Sequence, residues 1–162
     1  MRYALESVKQ WVGLHACDMP RNMTFLGNPG TGKDHLACSC MLELIRTKLM
    51  KCMIISAQRL FMEIKQIYTE KGSEVEYLDK IIDLDLLVIN ELGLNKTTDW
   101  EFEKLNWLLN ERVNNLKPFI VISNLTMEGL EDIIGDRLTD RLAEGGNQTI
   151  NFTWPSFRPS KK

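Results

Sequence analysis

Gly27-Asn28-Pro29-Gly30-Thr31-Gly32-Lys33 fits the pattern G-x-x-x-x-G-K. In such a loop the glycines let backbone N–H groups turn inward around a phosphate. The helix that follows presents its amino-terminal amides, and Lys33 adds a point charge for the β and γ phosphates. Gly27, Asn28, Pro29, Gly30, Thr31, Gly32, Lys33, Asp34 and His35 are therefore the candidate contacts to a nucleotide. The position after the lysine normally supplies a Ser or Thr hydroxyl to Mg²⁺, and here it is Asp34. A carboxylate ligates Mg²⁺ directly, yet it also sets negative charge beside phosphates. At ~4 Å that repulsion is about 1 kcal/mol in water and about 4 kcal/mol at an effective dielectric near 20. Asp34 equally suits the positive end of the helix it opens, so both readings stand.

A second polar pair closes the apolar run Leu86-Leu87-Val88-Ile89-Asn90-Glu91. In a Walker B strand the first polar residue is an Asp that holds Mg²⁺, and the acid after it polarises the attacking water. Glu91 fits the second role, but Asn90 stands in the first. Both departures fall at one metal site: Asp34 adds a carboxylate and Asn90 removes one, leaving the local charge count unchanged. Two readings follow. Either Asp34 and Asn90 are a compensating exchange that preserves Mg²⁺ affinity, or the protein binds ATP and hydrolyses it poorly.

These residues need strands that end beside one another, and the hydrophobic pattern supplies them. Short apolar runs at 23–26, 52–55, 86–89, 119–122 and 149–152 alternate with helical periodicities, the pattern of a parallel sheet with helices on both faces. Helices are predicted over about 3–16, 33–50, 60–68 and 74–82. Another opens at Thr98 in a capping box with Glu101 and runs through Leu105, Leu108, Leu109, Val113 and Leu116. A last one is capped by Thr126, carries Leu130, Ile133, Ile134 and Leu138, and ends at Gly145-Gly146. Leu60, Phe61, Ile64, Ile67 and Tyr68 form one apolar stripe, so Tyr68 reads as core at least as readily as surface.

With 162 residues, 20 Lys+Arg and 22 Asp+Glu, the chain is one domain of net charge −2, large enough for a core without disulfides or metals. Its 44% hydrophobic and 26% charged residues exclude disorder and a strongly basic nucleic-acid coat, so any DNA contact is a local patch. Cys17, Cys38, Cys40 and Cys52 lack zinc spacing and read as reduced, mostly buried thiols; His15 and His35 are too few and too isolated for a metal centre. No apolar run approaches the ~20 residues of a membrane span, and no secretory pattern opens the chain, which points to a soluble, cytoplasmic protein with no membrane partner.

Taken together, these stretches resemble the AAA+ domain of DnaC-type replicative helicase loaders and are similar to IstB-type transposition helper ATPases. The resemblance spans nearly the whole chain. It rests on Gly27 to Leu36, Leu86 to Gly93, Asn110-Glu111-Arg112 through Pro118 to Ser123-Asn124-Leu125, Asp136-Arg137-Leu138-Thr139-Asp140-Arg141, and Ser156-Phe157-Arg158. It implies an α/β, three-layer P-loop NTPase fold of the AAA+ type, with a five-stranded parallel sheet and no separate lid domain, over residues 1–158, with 159–162 as a tail. It further implies an ATPase using ATP and Mg²⁺; Asp34 and Asn90 depart from its pattern, and the activity is weak if the two do not compensate for each other. Asn124 would be sensor I, or else a turn-forming Asn. Arg141 would be an arginine finger in trans, within a head-to-tail homo-oligomer, or else one of a solvated charged face. Arg158 would be a sensor II-like arginine.

Such loaders also bind single-stranded DNA, and the corresponding regions here hold Lys65, Tyr68, Lys96 and Trp100, of which Trp100 is the favoured base-stacking residue. The amino-terminal region with which loaders grip a replicative helicase has no counterpart before Gly27 beyond one helix, so that partner is not carried over. The resemblance leaves three functions: helicase loading in DNA replication, transposition help, or a nucleotide-binding adaptor or inhibitor that joins a loader's filament without hydrolysing ATP.

Overall fold

The structure is a computed structural model and describes residues 1–14, 22–94, 97–143 and 147–159. Leu86 to Ile89 and Phe119 to Ile122 are buried along their whole length, as apolar runs covered on both faces must be. They belong to β3 (Leu86–Leu92) and β4 (Phe119–Ser123), the inner strands of a five-stranded sheet that also contains β1 (Met23–Gly27), β2 (Cys52–Ser56) and β5 (Gln148–Phe152). The strand order is β2-β3-β4-β1-β5, and every pairing is parallel.

Alternation along the strands splits the core in two, because successive side chains leave a strand on opposite faces. Met23, Phe25, Val88, Ile120 and Ile122 pack against Trp11 and Leu44 of α1 (Arg2–Leu14) and α2 (Lys33–Lys48). Leu87, Ile89, Phe119 and Val121 face the other way, toward α3 (Ala57–Thr69), α4 (Glu74–Ile82), α5 (Asp99–Asn114), α6 (Met127–Ile134) and α7 (Asp136–Ala143). The result is the three-layer P-loop architecture of the AAA+ type. Among the described residues no helix is long and apolar enough to cross a membrane.

The capping box that opens α5 is formed in both directions. Thr98 Oγ1 accepts from Glu101 N at 3.3 Å, and Glu101 Oε2 accepts from Thr98 N at 3.1 Å. Two expectations are corrected. The single helix predicted after Thr126 is two, because Gly135 adopts φ 76° between α6 and α7; a Cβ there would lie 3.1 Å from the Phe102 ring, so packing against α5 and the left-handed turn both select glycine. The predicted end at Gly145-Gly146 lies outside the described residues. Leu116 does not extend the α5 stripe: α5 stops at Asn114, and Leu116 is an exposed turn residue with φ 54°.

Arg112 takes the place the stripe leaves. It is fully buried, and its Nη1 donates to the carbonyls of Ile81 (2.7 Å) and Ile82 (3.0 Å) while Nη2 donates to those of Leu84 (3.1 Å) and Pro118 (2.6 Å). These satisfy carbonyls at the end of α4 that have no helical partner, and they tie the chain entering β3 to the chain entering β4. Burial lowers the pKa of its guanidinium to about 10.

Candidate functional site

β1 hands its chain to α2 on one face of the sheet, whereas its neighbour β4 hands its chain to α6 on the other. Connections that diverge in this way open a crevice at the carboxyl ends of the strands. The crevice is a cleft of about 370 Å³ lined by Pro29, Gly30 and Gly32 to His35, and by Asn90, Glu91, Ser123, Asn124, Phe157 and Arg158, among others. Residues from the ends of β1, β3 and β4 thus meet with the carboxy-terminal segment.

Lys33 is the centre of the arrangement. Its ammonium donates to Gly27 O (2.6 Å), Asn28 O (2.9 Å) and Asn124 Oδ1 (2.8 Å), which uses all three of its N–H groups. Burial pulls its pKa below the ordinary lysine value; Asp34 pushes it back up and Arg158 adds to the lowering. Gly32 is the N-cap of α2 and supplies no side-chain acceptor, so the first-turn amides of α2 are left for a ligand. Gly30, at φ 79°, is where a Cβ would strike Ser156 Oγ at 2.1 Å. This donor set of lysine, arginine and helix amides fits a di- or triphosphate.

Asp34 is exposed in the first turn of α2 and lines the same cleft as Asn90. Asn90 is engaged with the backbone of the next residue: its Oδ1 accepts from Glu91 N at 2.7 Å. Glu91 has φ 57°, a left-handed conformation that costs a non-glycine residue about 1–3 kcal/mol, and the β3–β4 register shifts between Ile89 and Leu92. The Asn90 bond therefore supports a strained turn that carries Glu91 into the cleft. Oxygen donors suited to Mg²⁺ are present in Asp34, Asn90 and Glu91. Among the described residues no group of three or more His, Cys, Asp and Glu side chains is arranged to hold a metal, so Mg²⁺ here would take most of its shell from phosphate and water.

Arg141 falls in α7, but its side chain lies outside the described residues, as does Lys96 altogether. Trp100, Tyr68 and Lys65 come together away from the cleft, where α3, α4 and α5 meet. Lys65 Nζ lies 5.1 Å from the Trp100 ring centroid and Lys104 Nζ 6.0 Å, while Phe61 and Tyr68 approach that ring edge-on at 6.3 and 6.2 Å. Tyr68 is exposed rather than core, and its hydroxyl donates to Glu74. The lysines are partnered: Lys65 with Glu101 at 2.7 Å and Lys104 with Glu74 at 2.6 Å. The half-buried Trp100 ring thus already serves as packing surface and cation seat.

The cysteines carry no chemistry in the described region. Cys40 is buried, Cys52 half-buried and Cys38 exposed, all free; burial pushes the Cys40 thiol up to about 12 and the Cys52 thiol to about 11. Cys17 and His15 lie outside the described residues. Sequence reasoning overlooked Trp154. Its indole Nε1 donates to Thr31 O at 2.9 Å, inside the phosphate loop, and its ring packs on that of Phe152 at a tilt of 45° with centroids 4.8 Å apart. The only local signal was an aromatic just past a strand end.

A strand, a glycine-rich loop with a buried lysine and a helix, set on a β2-β3-β4-β1-β5 sheet, define a P-loop protein of the AAA+ class. The sequence profile described as IstB-like ATP binding protein matches residues 4–144, and the chain belongs to that family. It is 32% identical over 136 residues to the replicative helicase loader DnaC of Escherichia coli K12, covering 83% of this chain and 55% of that protein. It is 28% identical over 161 residues to the protein YdaV of the same strain, covering 98% of this chain and 63% of YdaV. The chain thus spans less than two thirds of the length of these relatives. A crystal structure of the DnaC helicase loader superposes with a TM-score of 0.82 at 22% identity, covering 94% of this chain and 88% of that one.

Proposed function

We propose that this chain binds Mg·ATP in the cleft, hydrolyses it as a head-to-tail oligomer, and contacts single-stranded DNA while acting as a DnaC-type helicase loader. The observation that carries the reading is the Lys33–Asn124 hydrogen bond of 2.8 Å across the mouth of β1 and β4. It sets a charged phosphate ligand and a polar amide side by side, where the γ-phosphate and the attacking water of an ATPase sit. Glu91 enters from β3 as the group that polarises that water, and Arg158 adds positive charge from the carboxy-terminal segment. Arg141 completes the site of the next subunit. DNA is held by Lys65 and Tyr68, the exposed members of the α3–α5 cluster, over Trp100. Because two lysines face two carboxylates there, the grip of one subunit is weak and depends on assembly.

The test is ATP turnover across a range of protein concentrations, with and without single-stranded DNA. Turnover per molecule that rises with concentration, and that Arg141→Ala abolishes, is the expected outcome; an Arg141→Ala variant as active as the parent refutes the finger. Capture of a replicative helicase rather than a transposase separates helicase loading from transposition help. A second reading, a nucleotide-binding adaptor that does not hydrolyse ATP, is favoured by one observation: the Asn90 oxygen is already engaged by Glu91 N. Stoichiometric Mg·ATP binding with no turnover at any concentration selects it.

A further inference from the structure

The carboxy-terminal segment does more than bring Arg158 to the cleft. Two consecutive peptide units of the phosphate loop are held by the same segment: Phe157 N donates to Gly30 O at 2.9 Å and Trp154 Nε1 donates to Thr31 O at 2.9 Å. In a trans peptide the carbonyl and the following N–H point in opposite directions. Pinning the Gly30 carbonyl therefore aims the Thr31 N–H, and pinning the Thr31 carbonyl aims the Gly32 N–H, away from the segment. Thr31 Oγ1, bonded to Asn28 O at 2.8 Å, adds a third tie within the loop.

The anchor for these ties is rigid. Trp154 packs on Phe152 at a tilt of 45°, and Phe152 on Phe25 at 5.3 Å and 50°, so an aromatic column runs from the buried face of β1 to the phosphate loop. Phe25 and Phe152 are almost fully buried. The segment also fills the space a side chain at position 30 would need, since Ser156 Oγ lies 2.1 Å and Arg158 Cγ 3.1 Å from where a Gly30 Cβ would stand.

We infer that Trp154 is a positioning residue for phosphate recognition: its indole N–H, held on the Phe25–Phe152 column, fixes the Thr31–Gly32 peptide so that the loop amides are aimed before a nucleotide arrives. Trp154 touches no ligand in this role and acts through the loop backbone. The inference rests on the cleft being the nucleotide site but on neither hydrolysis nor Mg²⁺.

Trp154→Phe keeps an aromatic ring, a smaller one, at this position and removes the N–H. ADP titrated into the full chain without Mg²⁺ is expected to bind about 3- to 10-fold more weakly than to the unaltered protein, the range of one lost hydrogen bond. Inorganic pyrophosphate is expected to lose affinity by the same factor. In the unliganded variant, the backbone N–H order parameters of Thr31 and Gly32, measured by NMR relaxation, should fall while those of the β1 amides stay unchanged, a local signature that general destabilisation does not produce. ADP affinity within twofold of the parent, or unchanged order parameters at those two amides, overturns the assignment. Failure of the unaltered chain to bind ADP at all overturns the nucleotide reading itself, and the assignment with it.

Discussion

Lys33 can bond a phosphate only by giving up an acceptor it already has. Its ammonium has three N–H groups and all are used, two on loop carbonyls and one on Asn124 Oδ1 at 2.8 Å. Asn124 is the one side chain among these acceptors and is itself exposed, so it is the partner most easily exchanged. Asn124→Ala removes that competitor. A net hydrogen bond is worth about 0.5–1.5 kcal/mol, and up to about 3 kcal/mol when one partner is charged. Because water reaches Asn124 and replaces part of the bond, the lower range applies, which corresponds to about 2- to 10-fold. The variant should therefore bind a non-hydrolysable ATP analogue about 2- to 10-fold more tightly. Loss of one positioned polar group at the reacting centre should at the same time lower turnover about a hundredfold. Tighter binding with slower chemistry marks a residue that holds the ground state in reserve and acts in the transition state. Calorimetric titration of the analogue and single-turnover hydrolysis measure the two halves separately. An Asn124→Ala protein that binds the analogue tenfold more weakly would refute the reasoning, since Asn124 would then be a ground-state contact and not a competitor for Lys33.

Arg112→Met leaves three buried carbonyls and the part-buried Leu84 carbonyl without their charged donor; the expected cost exceeds about 4 kcal/mol, a large part of a domain's 5–15 kcal/mol, and a urea midpoint that barely moves would contradict it. Asp34→Thr and Asn90→Asp should be coupled in their effects on Mg·ATP affinity, the double variant binding about as tightly as the parent; additive effects in a double-mutant cycle would show no exchange between the two positions. Acid should weaken the α3–α5 cluster. The hydrogen bond from Lys65, then those from Thr98, hold the Glu101 carboxyl below its usual value, and Lys104 and Tyr68 do the same for Glu74 against the opposing effect of burial. Since the folded pKa values are depressed, the unfolded chain takes up protons first. This stability is therefore complete above about pH 4.5 and is lost as the pH falls through the folded values. Denaturant midpoints measured from pH 7 to 3 should fall less steeply in Glu101→Gln than in the parent.

Local chemistry by itself determined a good deal about this protein. The phosphate loop is legible because its glycines and lysine fall within seven consecutive residues, and the strands because a short apolar run is recognised without any distant partner. The capping box at Thr98 and Glu101 is equally legible, since both of its hydrogen bonds close within four residues. The pairing of strands into an AAA+ sheet followed from the same local patterns once they were joined to a family resemblance. Tertiary structure alone decided what those elements touch. Asn124 reaches Lys33 across 91 residues and Trp154 reaches Thr31 across 123, and no periodicity encodes such a meeting. The helix after Thr126 breaks at Gly135 because Phe102 of α5 packs there, and the α5 stripe turns from leucine to a buried Arg112 because carbonyls from two distant chain segments converge on it. Even Asn90 could not be read from its neighbours. Its oxygen turns back to Glu91 N because the irregular β3–β4 register throws Glu91 into a left-handed turn, and only the pairing of two strands sets that register.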